Sequence, residues 1–167
     1  RKIGTVVYKE LVSETLMRFR LQPELDGRFP DYQAGQYIAL RRDDCKLTRK
    51  RGVAPDGKPI FEPEVDPWGR QTIGPVTHSY SIASAPSETA EHQWLEFFVA
   101  LEHGFHGLPG RLSEALFGMS PETSCEVTYH NRIAGNFTLD TRVQDAQSVL
   151  MVGTGTGVAP FVSMVKE

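Results

Sequence analysis

The stretch Thr15-Leu-Met-Arg-Phe-Arg-Leu-Gln22 decides how the chain reads. Thr15, Met17, Phe19 and Leu21 alternate with Glu14, Arg18, Arg20 and Gln22, which gives the segment an inner and an outer side. Side chains alternate across a strand, so this period of two predicts a strand buried on one face; a helix would need its apolar residues three and four apart. Residues 3–11, just before it, are its expected pairing partner. Further strands are predicted at Gly35-Gln-Tyr-Ile-Ala-Leu40 and at residues 78–84, 94–101 and 126–130. Within 94–101, Leu95, Phe97, Val99 and Leu101 form one wholly apolar face. Five or six strands separated by glycine and proline turns predict an antiparallel barrel, because closing a sheet removes its unpaired edges. One helix is expected within it. After Pro109, Leu112, Ala115 and Leu116 fall at i, i+3 and i+4, a stripe able to plug one end of a barrel, and Gly118 ends it.

Composition agrees with this reading. The chain has 167 residues, 40% of them hydrophobic and 23% charged, enough to bury one core without disulfide or metal staples. Fifteen glycines and eleven prolines favour short strands over long helices. A net charge of −3 argues against a uniformly basic nucleic-acid binder, and no run approaches the roughly 18 apolar residues of a membrane span. No signal or transit peptide is visible, and a cytoplasmic setting is expected. Cys45 and Cys125 are too few for a four-cysteine iron–sulfur site and are read as reduced. His103 and His106 share a glycine-rich turn without a third ligand, so no metal site is predicted.

Two regions depart from the barrel pattern. Residues 42–76 hold four glycines and five prolines with no clear periodicity, an excursion read as functional or disordered. Residues 41–51 at its start carry six positive and two negative side chains, an attractor for an acidic partner or for phosphates. At the other end, Ser148-Val-Leu-Met-Val152 reads as a strand leading into Gly153-Thr-Gly-Thr-Gly157 and then a helix. This is the opening of an α/β unit, with too few residues after it to complete a parallel sheet. The expected division is therefore residues 1–145 as a barrel and 146–167 as the first strand, phosphate loop and helix start of a second, truncated domain.

Several segments carry chemistry. In His78-Ser-Tyr-Ser-Ile-Ala-Ser84, Tyr80 can cover a planar ring, Ser81 can hydrogen-bond a ring nitrogen, and His78, once protonated, can face a phosphate. An ordinary amphipathic strand with a half-buried tyrosine has the same appearance. The backbone N–H groups of Gly153, Thr154, Gly155, Thr156 and Gly157 can point at an anion, although the spacing is that of a tight turn as much as of a dinucleotide fingerprint. Gly107-Leu-Pro-Gly-Arg111 opens the predicted helix and offers a second anion site or simply a helix start. Glu96 and Glu102 are read as solvated, and Cys125 as core.

In order and spacing these pieces resemble the ferredoxin-NADP reductase family of flavoproteins. The family's Arg-x-Tyr-Ser is matched by His78-Ser79-Tyr80-Ser81, its Gly-Thr-Gly-x-x-x-Pro loop by Gly153 to Pro160, and Gln36-Tyr37 also looks familial. The resemblance implies an all-β antiparallel Greek-key barrel that binds FAD, with one capping helix, followed by the start of an NAD(P)-binding domain. It implies that Tyr80 stacks on the isoalloxazine and that Ser81 and Thr156 lie closest to hydride transfer. Ser79 would sit among the cofactor contacts, and the backbone of Val99, Ala100 and Leu101 would line the pyrimidine side. Gly107, Gly110, Arg111 and Leu112 would meet the diphosphate. The implied activity is transfer of electrons from NAD(P)H through FAD to ferredoxin, flavodoxin or another redox protein, or else the role of a flavin-binding or electron-transfer subunit in a larger complex. Two departures stand out: His78 replaces the family's arginine, and Pro109 or Gly110 replaces the serine or threonine usual at the diphosphate helix.

Overall fold

The computed structural model describes residues 1–104, 107–120, 124–143, 145 and 148–167. His106 of the histidine turn lies outside them. Eight strands form: β1 (Lys2–Ser13), β2 (Leu16–Pro23), β3 (Tyr37–Lys46), β4 (Thr48–Val53), β5 (Pro59–Pro63), β6 (Ile73–Ser81), β7 (Leu95–Ala100) and β8 (Glu126–Ala134). Six of them make one sheet in the order β6-β3-β8-β1-β2-β7, each pair antiparallel. The sheet curls until its edge strands meet, where the Ala83 N–H donates to the Glu96 carbonyl at 2.8 Å. Among the described residues are four α-helices: α1 (Pro86–His92) and α2 (Arg111–Phe117) sit between strands of the barrel, and α3 (Leu139–Arg142) and α4 (Ala159–Lys166) follow it. A 3₁₀ turn (Gly155–Val158) leads into α4.

The alternation in β2 does what it predicts. Met17, Phe19 and Leu21 are fully buried and meet the face of β7, with Phe19 opposite Phe97 in register and the two rings stacked at 5.2 Å. Leu112 and Leu116 of α2 are also fully buried, so this helix closes the barrel end as its stripe predicts; Gly118 caps it in a right-handed conformation. Gly35 turns the chain into β3 at φ +100°, where a Cβ would lie 1.9 Å from the Phe137 carbonyl oxygen, so only glycine fits.

Four expectations need correction. First, α1 is a further helix between β6 and β7, started by Pro86 in its first turn and by the Glu88 carboxylate, which accepts the Ala85 N–H at 2.9 Å. Second, residues 42–76 carry regular strands, although their sequence shows no periodicity. β3 and β6 extend into this stretch, β4 and β5 pair as a separate hairpin, and Gln71 Nε2 donates to the carbonyls of Leu47, Glu64 and Thr72, tying the arm's base together. Third, Glu96 is buried rather than solvated, with 1% of its side chain exposed. Fourth, residues 148–152 form no strand, and Leu150 is 89% exposed. A strand exists only by hydrogen bonding to a neighbour, and the described residues offer this segment none.

Candidate functional site

The Glu102 to Gly110 connection between β7 and α2 is held by short hydrogen bonds. The Gly110 N–H donates to the Glu102 carbonyl at 3.1 Å, Gly104 to Leu108 at 2.7 Å and Gly107 to Gly104 at 2.8 Å. Gly107 sits at φ +76°, a left-handed conformation that suits glycine. These bonds fix where α2 begins. Its first-turn N–H groups have no acceptor one turn earlier in the helix, so the helix start presents donors, with the half-buried Arg111 guanidinium beside them.

Opposite this helix start stands the β4–β5 arm, and between them lies a cavity of about 340 Å³. Its walls include Gly110 and Arg111 of the α2 start, His78 of β6, Thr48 and Phe61 of the arm, and His103. Glu102 contributes a carboxylate to the rim. The site thus combines an aromatic ring 44% exposed, a guanidinium, two imidazoles and a helix start. That donor set suits a phosphate-bearing ligand with a planar group. Three of the residues named from sequence, His78, Gly110 and Arg111, therefore meet in one cavity although they lie on different elements.

Tyr80 and Ser81 continue along β6 from His78, in register with Ile38 and Tyr37 of β3. The Tyr80 ring packs against the barrel core, and burial, with the nearby Cys45 thiol, pushes its phenol up to about 12. Burial likewise raises Cys45 itself to about 11, so this thiol is held protonated and unreactive at neutral pH. Ser79 is exposed on the same strand. Val99 is buried in β7, while Ala100 and Leu101 are half-buried where that strand ends. Leu112 offers only backbone, because its side chain is fully buried. The 3₁₀ turn that holds Thr156 runs beside β7, and Thr156 is not among the cavity-lining residues. Gly153, Thr154, Gly155 and Gly157 around it are exposed.

Thr48 and Phe61 escaped the sequence reading. Their signal was faint: in a hairpin of six and five residues, alternation is too short to stand out among five prolines. The basic run 41–51 is largely neutralised locally. Arg41 pairs with Asp43 at 2.7 Å, Arg42 with Asp44, Lys46 with Glu114 at 2.6 Å, and Arg49 and Arg51 with Glu62 at 2.8 and 3.7 Å. Arg42 is structural, since it is 7% exposed and donates to the Glu126 carbonyl at 2.7 Å; its guanidinium also holds the Asp44 carboxyl below the usual range. Both cysteines are free, and no group of metal-ligating side chains forms among the described residues. No described helix is long and apolar enough to cross a membrane.

The architecture has counterparts among solved structures. A ferredoxin NADP⁺ reductase from Neisseria gonorrhoeae with bound FAD and NADP superposes with a TM-score of 0.64 at 19% identity, covering 99% of this chain and 50% of that one. The flavohem-like FAD/NAD-binding domain of nitric oxide dioxygenase from Vibrio cholerae gives 0.65 at 21% identity, covering 99% and 55%. The fold is that of the FAD-binding barrel of ferredoxin reductases and flavohemoglobins. In sequence, the chain is 27% identical over 175 residues to a flavohemoprotein of Bordetella pertussis, covering 97% of this chain. It spans about a third of the length of that curated relative. No protein-family model matches it.

Proposed function

We propose that this chain is the flavin-binding part of an NAD(P)H-dependent oxidoreductase, with FAD in the cavity between α2 and the β4–β5 arm and along β6. The observation that carries the proposal is the convergence of His78, Gly110 and Arg111 with Phe61 on one cavity in a barrel of this fold. Residues 146–167 are assigned to the start of a nucleotide-binding unit. When bound, FAD supplies a ring that accepts hydride and releases electrons one or two at a time.

The chain's own residues bind and orient. Arg111 and the first-turn N–H groups of α2 would take the diphosphate, and a ring N–H of His78 would add a further donor. Phe61 flanks the far end of the cofactor. Tyr80 offers the outer part of its ring for stacking, and Ser81 directs its hydroxyl toward the reactive ring edge. Thr156, whose 3₁₀ turn runs beside β7, would stand near that edge, and the backbone of Val99 to Leu101 would line the ring. No side-chain base is required of this chain, whose residues would bind and orient the cofactor. Electrons leave for a ferredoxin, a flavodoxin or another redox protein.

The test is titration with FAD followed by absorption and flavin fluorescence, then anaerobic addition of NADH and of NADPH. Stoichiometric FAD uptake is expected. Bleaching is expected to be slow, because the loop that would receive the nicotinamide nucleotide is open: a Cβ on Gly155 or Gly157 would meet nothing within 4 Å. A colourless protein after reconstitution would refute the assignment.

A further inference from the structure

Near its C-terminal end, α4 is tied to the barrel by three side chains. The Ser163 hydroxyl donates to the Ser84 carbonyl at 2.6 Å, and both residues are fully buried. The Glu167 carboxylate accepts the Ser87 N–H at 3.1 Å and the Ser87 hydroxyl at 2.8 Å. Lys166 Nζ reaches Glu88 of α1 at 3.1 Å and Glu96 of β7 at 3.2 Å.

Glu96 is the unusual member. Its side chain is 1% exposed, and its second oxygen accepts Arg20 Nε at 2.9 Å. Arg20 is itself held over the Trp94 ring at 4.2 Å and the Tyr8 ring at 5.0 Å. A carboxylate withdrawn from water is tolerated only when paired and hydrogen-bonded, and removing one partner leaves the other charge buried and uncompensated. Here one cation belongs to the barrel and the other to α4. The barrel side is rigid as well, because the Tyr32 hydroxyl meets Ser84 and Thr89 at 2.8 to 3.1 Å.

The 3₁₀ turn with Thr156 runs into α4 without a break. An eight-residue helix is about 12 Å long, so fixing Ser163 and Lys166 one turn apart fixes its tilt and rotation, and with them the place of its first residues. We propose that Lys166, acting through the buried Glu96, is a positioning residue that sets where the glycine loop Gly153 to Gly157 sits against β7. What the loop receives there rests on the flavin reading; where it sits does not.

Amide hydrogen exchange on the whole chain tests this. Lys166→Met keeps the apolar stem and removes the charge; residues 155–165 are expected to exchange about tenfold faster or more, with β1 to β8 unchanged. Lys166→Arg should restore protection, which a merely apolar role would not require. Glu96→Gln should loosen the same segment, and if that variant fails to fold the two Lys166 variants decide alone. Unchanged exchange in Lys166→Met, or loosening spread evenly over the barrel, would overturn the proposal. FAD uptake is measured on the same samples and should not change with Lys166→Met. Absence of uptake by the unaltered chain would sink the flavin reading and leave the exchange result standing.

Discussion

Gly107-Leu-Pro-Gly-Arg111 and Gly153-Thr-Gly-Thr-Gly157 both deliver the chain into a helix, and in sequence either could open an anion site. Their surroundings differ. The first leads into α2, whose Leu112 and Leu116 are fully buried, and it faces a hairpin arm across a cavity of about 340 Å³. The second follows Leu150 and Val152, which are 89% and 76% exposed, and four of its five residues stand in the open. A helix start offers donors in either place; it becomes the wall of a site when a second element faces it across a cavity.

Stability separates the two helix starts most strongly. Leu116→Ala removes a fully buried side chain from the barrel plug and should cost about 2 to 5 kcal/mol in urea unfolding. Leu150→Ala, made on an exposed residue, should stay within about 0.5 kcal/mol. Equal losses would mean that residues 148–152 are buried in solution, and the contrast between the two helix starts would disappear.

Alkaline titration reads the core of the barrel itself, where Cys45 of β3 is buried and Tyr80 of β6 packs against it. Their folded values are raised to about 11 and about 12, from ordinary values of 9.0 and 10.0. The unfolded chain therefore loses these protons first, so the stability is complete below about pH 9 and falls as the pH rises toward 12. Cys45 alone should account for a loss on the order of 2 kcal/mol. Urea midpoints at pH 8 and pH 11 measure the fall, and Cys45→Val should remove part of it. A midpoint that stays level to pH 11 would contradict the burial of both groups.

What was legible in the sequence follows the same division. Strands with one buried face announce themselves, as β2 and β7 do, because alternation is local and the core enforces it. Glu96 defeats that logic: it faces away from Phe97, yet it is buried, because α4 and Arg20 cover the outer side of β7 from positions 70 and 76 residues away. Residues 148–152 defeat it in the opposite way. An apolar run satisfies the pattern of a buried parallel strand, but pairing comes from neighbours that the pattern cannot supply. In the site, the helix start and β6 were legible as motifs. The facing arm was not, since Phe61 reaches the cavity only through the register of a short hairpin anchored by Gln71.

The smallest expected effect is the one most specific to the site. If FAD binds as proposed, Arg111→Ala should weaken its binding about tenfold or more, because a half-buried residue would lose a charge-assisted hydrogen bond to phosphate. Thr154→Ala, in the exposed glycine loop, should leave the FAD dissociation constant unchanged. Between these stands His78→Arg. His78 is exposed at the cavity edge, where imidazole is a shorter and less constant cation than a guanidinium. Placing arginine there should tighten FAD binding by less than about tenfold, since solvent screens an exposed charge and, in the proposed arrangement, Arg111 would serve the same phosphates. The gain should also shrink in Arg111→Ala if the two side chains hold different oxygens of one diphosphate cooperatively, and grow if each replaces the other. Measured as a double-mutant cycle on the dissociation constant, a coupling of zero would place His78 and Arg111 on separate ligand groups and divide the cavity into two subsites.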